Sequence, residues 1–382
     1  MPASLPIREL FDIPADITYL NCGYMSPLSL AVREAGRTAV DRKGRPWLIA
    51  PPDFFESVET PRALFGGLLG APADHIALIP SASYGMALAA LNIPLRPGQR
   101  VLLLDEEFPS TFYAWQERAR AAGAEAVRLP RPGDDDWTRV VLEAIDQRTA
   151  AAALPNCHWT DGGLLDLVRI RDALDAVDAA LVLDVTQSLG ALPLDLARVR
   201  PDFLVVACYK WLLGPYSTGF LYAAPRWQEG RPLEYNWMSR EGSEDFSRLV
   251  DYREGFRAGA RRYDMGEPSN FALMPMVSEA LRQIQAWTVP VIQRELAEYC
   301  SAIVRAVEPL GFQAVASDRR AGHYLGLRHP EGIPAGLGGR LAAEGIFVSV
   351  RGPSLRITPH RYNDAADRER LVEALGRLSL RR

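Results

Sequence analysis

"AALVLDVTQSLGALPLDLARVRPDFLVVACYK", residues 179–210, decides the fold. It holds two continuous apolar runs, "AALVLDV" (179–185) and "DFLVVA" (202–207), each leading into polar side chains. Unbroken apolar strands belong to a sheet that is covered on both faces. The pattern recurs outward from there. "HIALIP" (75–80) precedes the helical "SYGMALAALN" (83–92), and "RVLLLD" (100–105) precedes the helical "STFYAWQERARAAG" (110–123). "AAALP" (151–155) and "GFLYAA" (219–224) are further strands, the latter close enough behind 202–207 to pair antiparallel. Strands interleaved with helices predict an α/β fold, a large domain with a mostly parallel sheet between helices.

A region rich in charge and aromatics follows (226–262), then a long helical pattern from "MPMVSEALRQIQAW" (274–287) through "IQRELAEYCSAIVRAVEPLG" (292–311). The last part reads strand–helix–strand–strand–helix: "HYLGLRH" (323–329), "GLGGRLAAEG" (336–345), "IFVSV" (346–350), "SLRIT" (354–358) and "DRERLVEALGRL" (367–378). That is a smaller C-terminal α+β domain. The expected division is 16–260 for the large domain and 1–15 with 261–382 for the small one. "RPGDDDW" (131–137) is expected to be an exposed, solvated acidic loop.

Composition narrows the function. The net charge is −4 with no basic cluster, which argues against nucleic acid as a partner. No apolar run is long enough to span a membrane. "MPASLPIRELFDIPAD" shows no apolar signal core. Cys22, Cys157, Cys208 and Cys300 are scattered without a CxxC pair. This speaks against a zinc site or a disulfide framework and suits a reducing cytoplasm. Of 43 basic residues only two, Lys43 and Lys210, are lysines. Where Arg has taken most basic positions, a retained Lys points to what Arg cannot do, namely lose its proton and form a Schiff base. Lys43 sits in the charged "DRKGRP" and reads as surface. Lys210 follows an apolar strand.

Ligands of open parallel sheets bind at the carboxyl ends of the strands. After 75–80 come Ser81, Ala82 and Ser83 at a helix start, either an anion seat or an ordinary cap. After 100–105, Phe108 in "EEFPS" could stack on a flat ring or fill a core. Asn156 could meet a phenolate or support its own turn. Asp184 ends a buried strand, where a carboxylate needs a partner: a protonated ring nitrogen, or a helix start. Lys210, buried at a strand end, would have a usable amine. The absence of GxGxxG and Walker A patterns lowers the odds for NAD and ATP. An anion seat, a ring stacker, a phenolate partner, a carboxylate and a lysine at successive strand ends suit pyridoxal 5'-phosphate (PLP).

The residues resemble the aminotransferase class V family of fold-type I PLP-dependent enzymes, which includes cysteine desulfurases, kynureninases and isopenicillin N epimerase-like proteins. The likeness runs from "TYLNCGYMSPLS" (18–29) to "LRITPHRYND" (355–364). It implies that Lys210 is the Schiff-base lysine and proton shuttle, and that Asp184 keeps the pyridine nitrogen protonated. It also implies that Gln187 and Asn156 contact the phenolate oxygen, and that Ala82 and Ser83 bind phosphate. Phe108 and Tyr209 look kynureninase-like, as ring stacker and phosphate contact. Arg356 matches the arginine that grips the substrate α-carboxylate. "NCGYM" (21–25), with Asn21 and Gly23, matches a loop near that carboxylate. "MGEPSN" (265–270), with Gly266 and Asn270, resembles a stretch that reaches across a homodimer interface to the neighbour's phosphate, and Glu267 stands where Thr is frequent.

Desulfurases carry a cysteine-bearing loop between the last two strands; here only Arg351, Gly352 and Pro353 separate "FVSV" from "SLRIT". The expected function is therefore a PLP-dependent enzyme acting on an α-amino acid by transamination or β-elimination, not a cysteine desulfurase. The alternatives are an epimerase of the isopenicillin N type, a kynureninase-like hydrolase, or a cofactor-dead binding protein. No metal ligand set is expected. His158 and Trp159 are candidates for the substrate side.

Overall fold

The computed structural model describes residues 6–379. Twelve strands follow one another along the described residues. They are β1 (Thr18–Tyr19), β2 (Ile76–Ile79), β3 (Arg100–Leu104), β4 (Glu125–Leu129), β5 (Thr149–Pro155) and β6 (Ala180–Asp184), then β7 (Phe203–Ala207), β8 (Gly219–Ala223), β9 (Leu325–Leu327), β10 (Ile346–Phe347), β11 (Ser349–Arg351) and β12 (Ser354–Ile357). Seven of them form the main sheet in the order β2-β8-β7-β6-β5-β3-β4. Only β8 runs antiparallel, to both β2 and β7, as its short connection from β7 led one to expect.

The unbroken apolar strands have their explanation in two cores. Leu181, Leu183, Leu204 and Val206 face one, and Ala180, Val182, Phe203 and Val205 face the other. Successive side chains of a strand point to opposite faces, so a sheet buried on both sides needs apolar residues at every position. Phe65, Ile170 and Val277 close the first core from helices Asp53–Leu69, Leu167–Asp175 and Leu273–Trp287. Leu88 and Trp115 close the second from helices Ala82–Asn92 and Pro109–Ala122. The first of these two presses so closely on the sheet that a Cβ at Gly85 would lie 2.8 Å from Val205.

The edge strand β4 and the helix Trp137–Ala144 were not legible. In β4 the side chains are half-exposed, so the apolar run that marks the inner strands is missing. The 131–137 segment is also not merely solvated surface. Asp135 pairs with Arg328 at 3.2 Å, Asp136 pairs with Arg319 at 2.9 Å, and Trp137 is buried. Asp135 and Asp136 thus tie this segment to the C-terminal part of the chain.

The small sheet has the order β11-β12-β9, and β1 pairs in parallel with β10. Leu20, Ile303, Leu325, Leu355 and Leu371 share its core. Met274, Val277 and Leu281, in contrast, belong to a core of the main sheet. We propose that the domain division follow these cores, moving residues 18–20 to the small domain and the stretch up to the end of helix Leu273–Trp287 to the large one. Residues 1–5 and 380–382 of the expected small domain lie outside the described residues. Among the described residues no helix is long and apolar enough to cross a membrane.

Candidate active site

Lys210 stands three residues beyond β7 and is 5 % exposed. Burial lowers its pKa to about 8; Asp184 opposes the shift, and Arg356 and Arg351 reinforce it. Its Nζ lies 5.3 Å from the ring centroid of Phe108 and 5.5 Å from that of Tyr209. Desolvation disfavours the ammonium, so near neutrality this amine gives up its proton far more readily than an exposed lysine.

Around it the ends of β2, β3, β5, β6 and β7 bring Ala82, Phe108, Asp184, Gln187, Tyr209 and Lys210 to one cavity, with Glu107 and Trp159 in the same wall. Asp184 terminates β6 and accepts a hydrogen bond from the Thr186 backbone N–H at 2.9 Å. Gln187 donates to Gly23 O at 3.0 Å and accepts from Trp211 Nε1 at 3.2 Å. A side chain at Gly23 would crowd Thr358 at 3.0 Å and Gln187 at 3.2 Å, so the 21–25 loop sits tightly against the site. Asn156 is buried between Pro155 and Cys157, which line the cavity, but does not line it itself. Ser83 is exposed at the start of the helix Ala82–Asn92, where its hydroxyl meets that of Ser81 at 2.8 Å. Tyr209 packs on Tyr216 with ring centroids 4.5 Å apart, and burial pushes its hydroxyl up to about 12.

Arg356, on β12, is buried behind Trp159, with its guanidinium 6.0 Å from that ring, and its charge acts on Lys210 although it does not line the cavity itself. It donates to Trp159 O at 3.3 Å and Ser349 Oγ at 3.5 Å, and Ser349 in turn donates to Asn21 Oδ1 at 2.8 Å. Asn21 thus joins the site through Ser349. Gly266 and Asn270 do not reach this cavity within one chain. Gly266 N–H donates to Glu234, and Asn270 Oδ1 accepts from the Leu273 N–H at 3.0 Å, capping the next helix.

His158, expected on the substrate side, does not line the cavity. It is fully buried and stacks on Trp137 at 5.0 Å. Its ring nitrogens meet Thr160 Oγ1 at 2.8 Å and Asp105 O at 3.1 Å. Burial lowers its pKa to about 4, so it packs as a neutral ring behind the site. Its neighbour Trp159 lines the cavity and holds its place by donating to Glu106 O at 2.6 Å.

Two residues escaped the sequence reading. Glu107 is buried in the cavity wall; burial, with Asp184 nearby, raises its pKa to about 8. Its Oε1 accepts the Phe108 N–H at 2.7 Å, and its Oε2 has no partner. The rule that pointed to Asp184, a polar residue past an apolar strand, applied to it equally. Arg351 was seen only as a loop residue. Its two-residue offset from Ser349 on β11, which places both on one face, was the missed signal.

The arrangement fits PLP. The first N–H groups of a helix have no partner inside it. Ser81 Oγ takes that of Tyr84 at 3.2 Å, which leaves those of Ala82 and Ser83 for a phosphate. Phe108 offers a ring face, Asp184 a carboxylate and Lys210 a deprotonable amine in one cavity. The family profile described as aminotransferase class-V matches residues 52–366. The chain belongs to the aminotransferase class-V family. PLP is accordingly its cofactor. The chain is 26% identical to an isopenicillin N epimerase of Streptomyces clavuligerus over 95% of both chains. It is 29% identical to a kynureninase of Deinococcus radiodurans, over 85% of this chain and 80% of that one. A solved structure of the C-DES protein with glycine covalently linked to its PLP cofactor superposes with a TM-score of 0.86. It covers 97% of this chain and 99% of that one at 19% identity, and so shows the shared fold-type I architecture.

Proposed function

We propose that this class-V enzyme acts on an α-amino acid by transamination or β-elimination, with Lys210 as the base that takes the proton from Cα. The observation that carries the reading is a buried lysine of lowered pKa in one cavity with Asp184, with the charge of the buried Arg356, which has no acidic partner among the described residues, acting on it. Bound PLP supplies an electron sink for the bonds at the substrate's Cα. Asp184 would hold the ring nitrogen, Gln187 the phenolate oxygen with Asn156 buried behind the wall beside it, and Ala82, Ser83 and Tyr209 the phosphate. Phe108 would pack on the ring. Arg356 would orient the substrate carboxylate, with Asn21 and Gly23 beside it.

The active form would be a homodimer in the cytoplasm, with Gly266 and Asn270 serving the neighbour's site. The exposed apolar side chains of Trp47, Tyr235 and Tyr252 support a covered face. A cysteine desulfurase reaction is disfavoured, because the turn from β11 to β12 has no cysteine. Cys22 does lie against Lys210, at 3.6 Å from its carbonyl, but burial pushes its thiol up and away from the reactive thiolate. A cofactor-dead protein is disfavoured by the intact pair of Lys210 and Asp184. Phe108, Tyr209 and the kynureninase relative keep a hydrolytic C–C cleavage as the second reading, beside the epimerase.

The test is a panel of amino acids given to the PLP-loaded enzyme without a keto-acid acceptor, with products identified by mass. One equivalent of keto acid per site means transamination. Continuous release of ammonia with pyruvate, or of alanine, means a lyase or hydrolase. Inverted amino acid means an epimerase. Lys210→Ala abolishes each of these, and a fully active Lys210→Ala overturns the site.

A further inference from the structure

The hairpin of β11 and β12 carries two arginines on one face. Its register sets Ser349 opposite Arg356 and Arg351 opposite Ser354. Residues two apart along a strand share a face, so Arg351 and Arg356 project the same way as diagonal neighbours, roughly 7–8 Å apart in such a ladder. Each guanidinium lies 6.0 Å from the ring of Trp159, which lines the Lys210 cavity.

Neither arginine has an acidic partner among the described residues. Arg351 donates to Val350 O at 2.8 Å, and Arg356 keeps a buried Nε without any acceptor. Of the other buried arginines, Arg62 is neutralised by Asp264 at 2.7 Å and Arg171 by Asp202 at 3.2 Å, while Arg320 gives its N–H groups to the carbonyls of Val315, Ala321 and Tyr324 at 2.7–3.3 Å. Burial and the neighbouring Arg356 both press on the Arg351 charge, and both guanidiniums act on Lys210. Two like charges held together without a counter-ion form a site for two anionic groups. The α-carboxylate accounts for one.

We propose that Arg351 is a second anion-binding arginine and that the substrate is an α-amino acid bearing a second acidic group, with Arg356 taking the α-carboxylate. This rests on the reading of the Lys210 cavity as the amino-acid site. The planar fork of Arg351 suits bidentate capture of a carboxylate or sulfinate. Its partial exposure lets the side chain follow groups at different distances. Aspartate, glutamate, cysteine sulfinate and cystine share this chemistry. Lysine and arginine substrates are repelled.

The PLP-loaded enzyme is titrated by calorimetry with succinate, glutarate and butyrate, none of which can react. The dicarboxylates bind about ten-fold or more tightly than butyrate, as expected for one added charge-assisted contact. Arg351→Gln brings that ratio to about one, and Arg351→Lys restores part of it. The visible band of the lysine-bound cofactor reports folding and loading in each variant. Turnover of aspartate, glutamate, cysteine sulfinate and cystine against alanine and norvaline then identifies which acidic group is used. An equal affinity for mono- and dicarboxylates, or an advantage that survives Arg351→Gln, overturns the inference. If the visible band forms and neutral amino acids are turned over as well as acidic ones, this inference alone falls. If no band forms or no amino acid reacts, the parent reading falls and takes this one with it.

Discussion

Arg62 and Arg356 are both buried, at 0% and 2% exposure, yet they live in opposite surroundings. Arg62 sits beneath β2 and donates to Asp264 at 3.1 and 2.7 Å, to Glu59 at 3.2 Å and to Ile76 O. Asp264 also accepts the Leu78 N–H at 2.7 Å, so the pair ties a helix and a loop to the edge of the main sheet. Arg356 has a carbonyl, a long contact to a hydroxyl and an Nε with no acceptor. A buried charge costs several kcal/mol unless it is paired and hydrogen-bonded. The fold therefore satisfies the guanidinium that holds it together and leaves open the one proposed to meet a ligand.

The largest effect expected on this contrast is at the satisfied arginine. Arg62→Ala strands the Asp264 carboxylate in the core, and about 3–5 kcal/mol of unfolding free energy should be lost. Urea unfolding reads this, and a loss below about 1 kcal/mol would mean that the pair is not a fastener. Arg356→Gln should do the reverse. Unfolding stability stays level or rises, because an uncompensated charge is removed. KM for the amino acid rises about ten- to a hundred-fold through the loss of a charge-assisted contact of about 1.5–3 kcal/mol. A destabilised Arg356→Gln with unchanged KM would put both arginines in one class.

The third effect is set by pH and concerns another uncompensated buried group, in the cavity wall. The Glu107 carboxyl ionises near 4.5 when exposed and near 8 in the fold. Between these values the folded state holds a proton that the unfolded chain has lost, so Glu107 lowers stability as pH rises from 4.5 to 8. Glu107→Gln carries no such proton. Without cofactor, the variant should match its parent near pH 4.5 and gain on it steadily up to pH 8, where the gain levels off. Denaturation at the two ends of that window checks it. A gap that is the same at both ends would mean that Glu107 is ionised throughout.

Much of the site was legible because the strands are buried on both faces. In a run such as 180–184, apolar residues at every position mark the strand, and the polar residue that ends it, Asp184, marks the ligand side. The same signal located Lys210 and Phe108, and rarity among 43 basic residues singled out the lysine. That signal is missing where the burial is absent, and misleading where polarity has a second use. Strand β4 has a half-exposed pattern and was missed. His158 stands past a strand end like the others, but its ring turns away to stack on Trp137. Glu107 was passed over because a carboxylate in a charged tripeptide reads as surface until its burial is seen.

What the sequence determined by itself is the α/β order of elements, the strand ends that meet a ligand, and the family. These depend on local periodicity and on spacing along the chain. Only the tertiary structure decided which of two neighbouring polar residues faces the cavity, Trp159 or His158. It alone decided that the acids of 131–137 clamp Arg319 and Arg328, and that Arg351 stands beside Arg356 without a counter-ion. The reason is physical. A charge has no meaning until its partners and its exposure are known, and here those partners come from elements more than 100 residues apart in the chain.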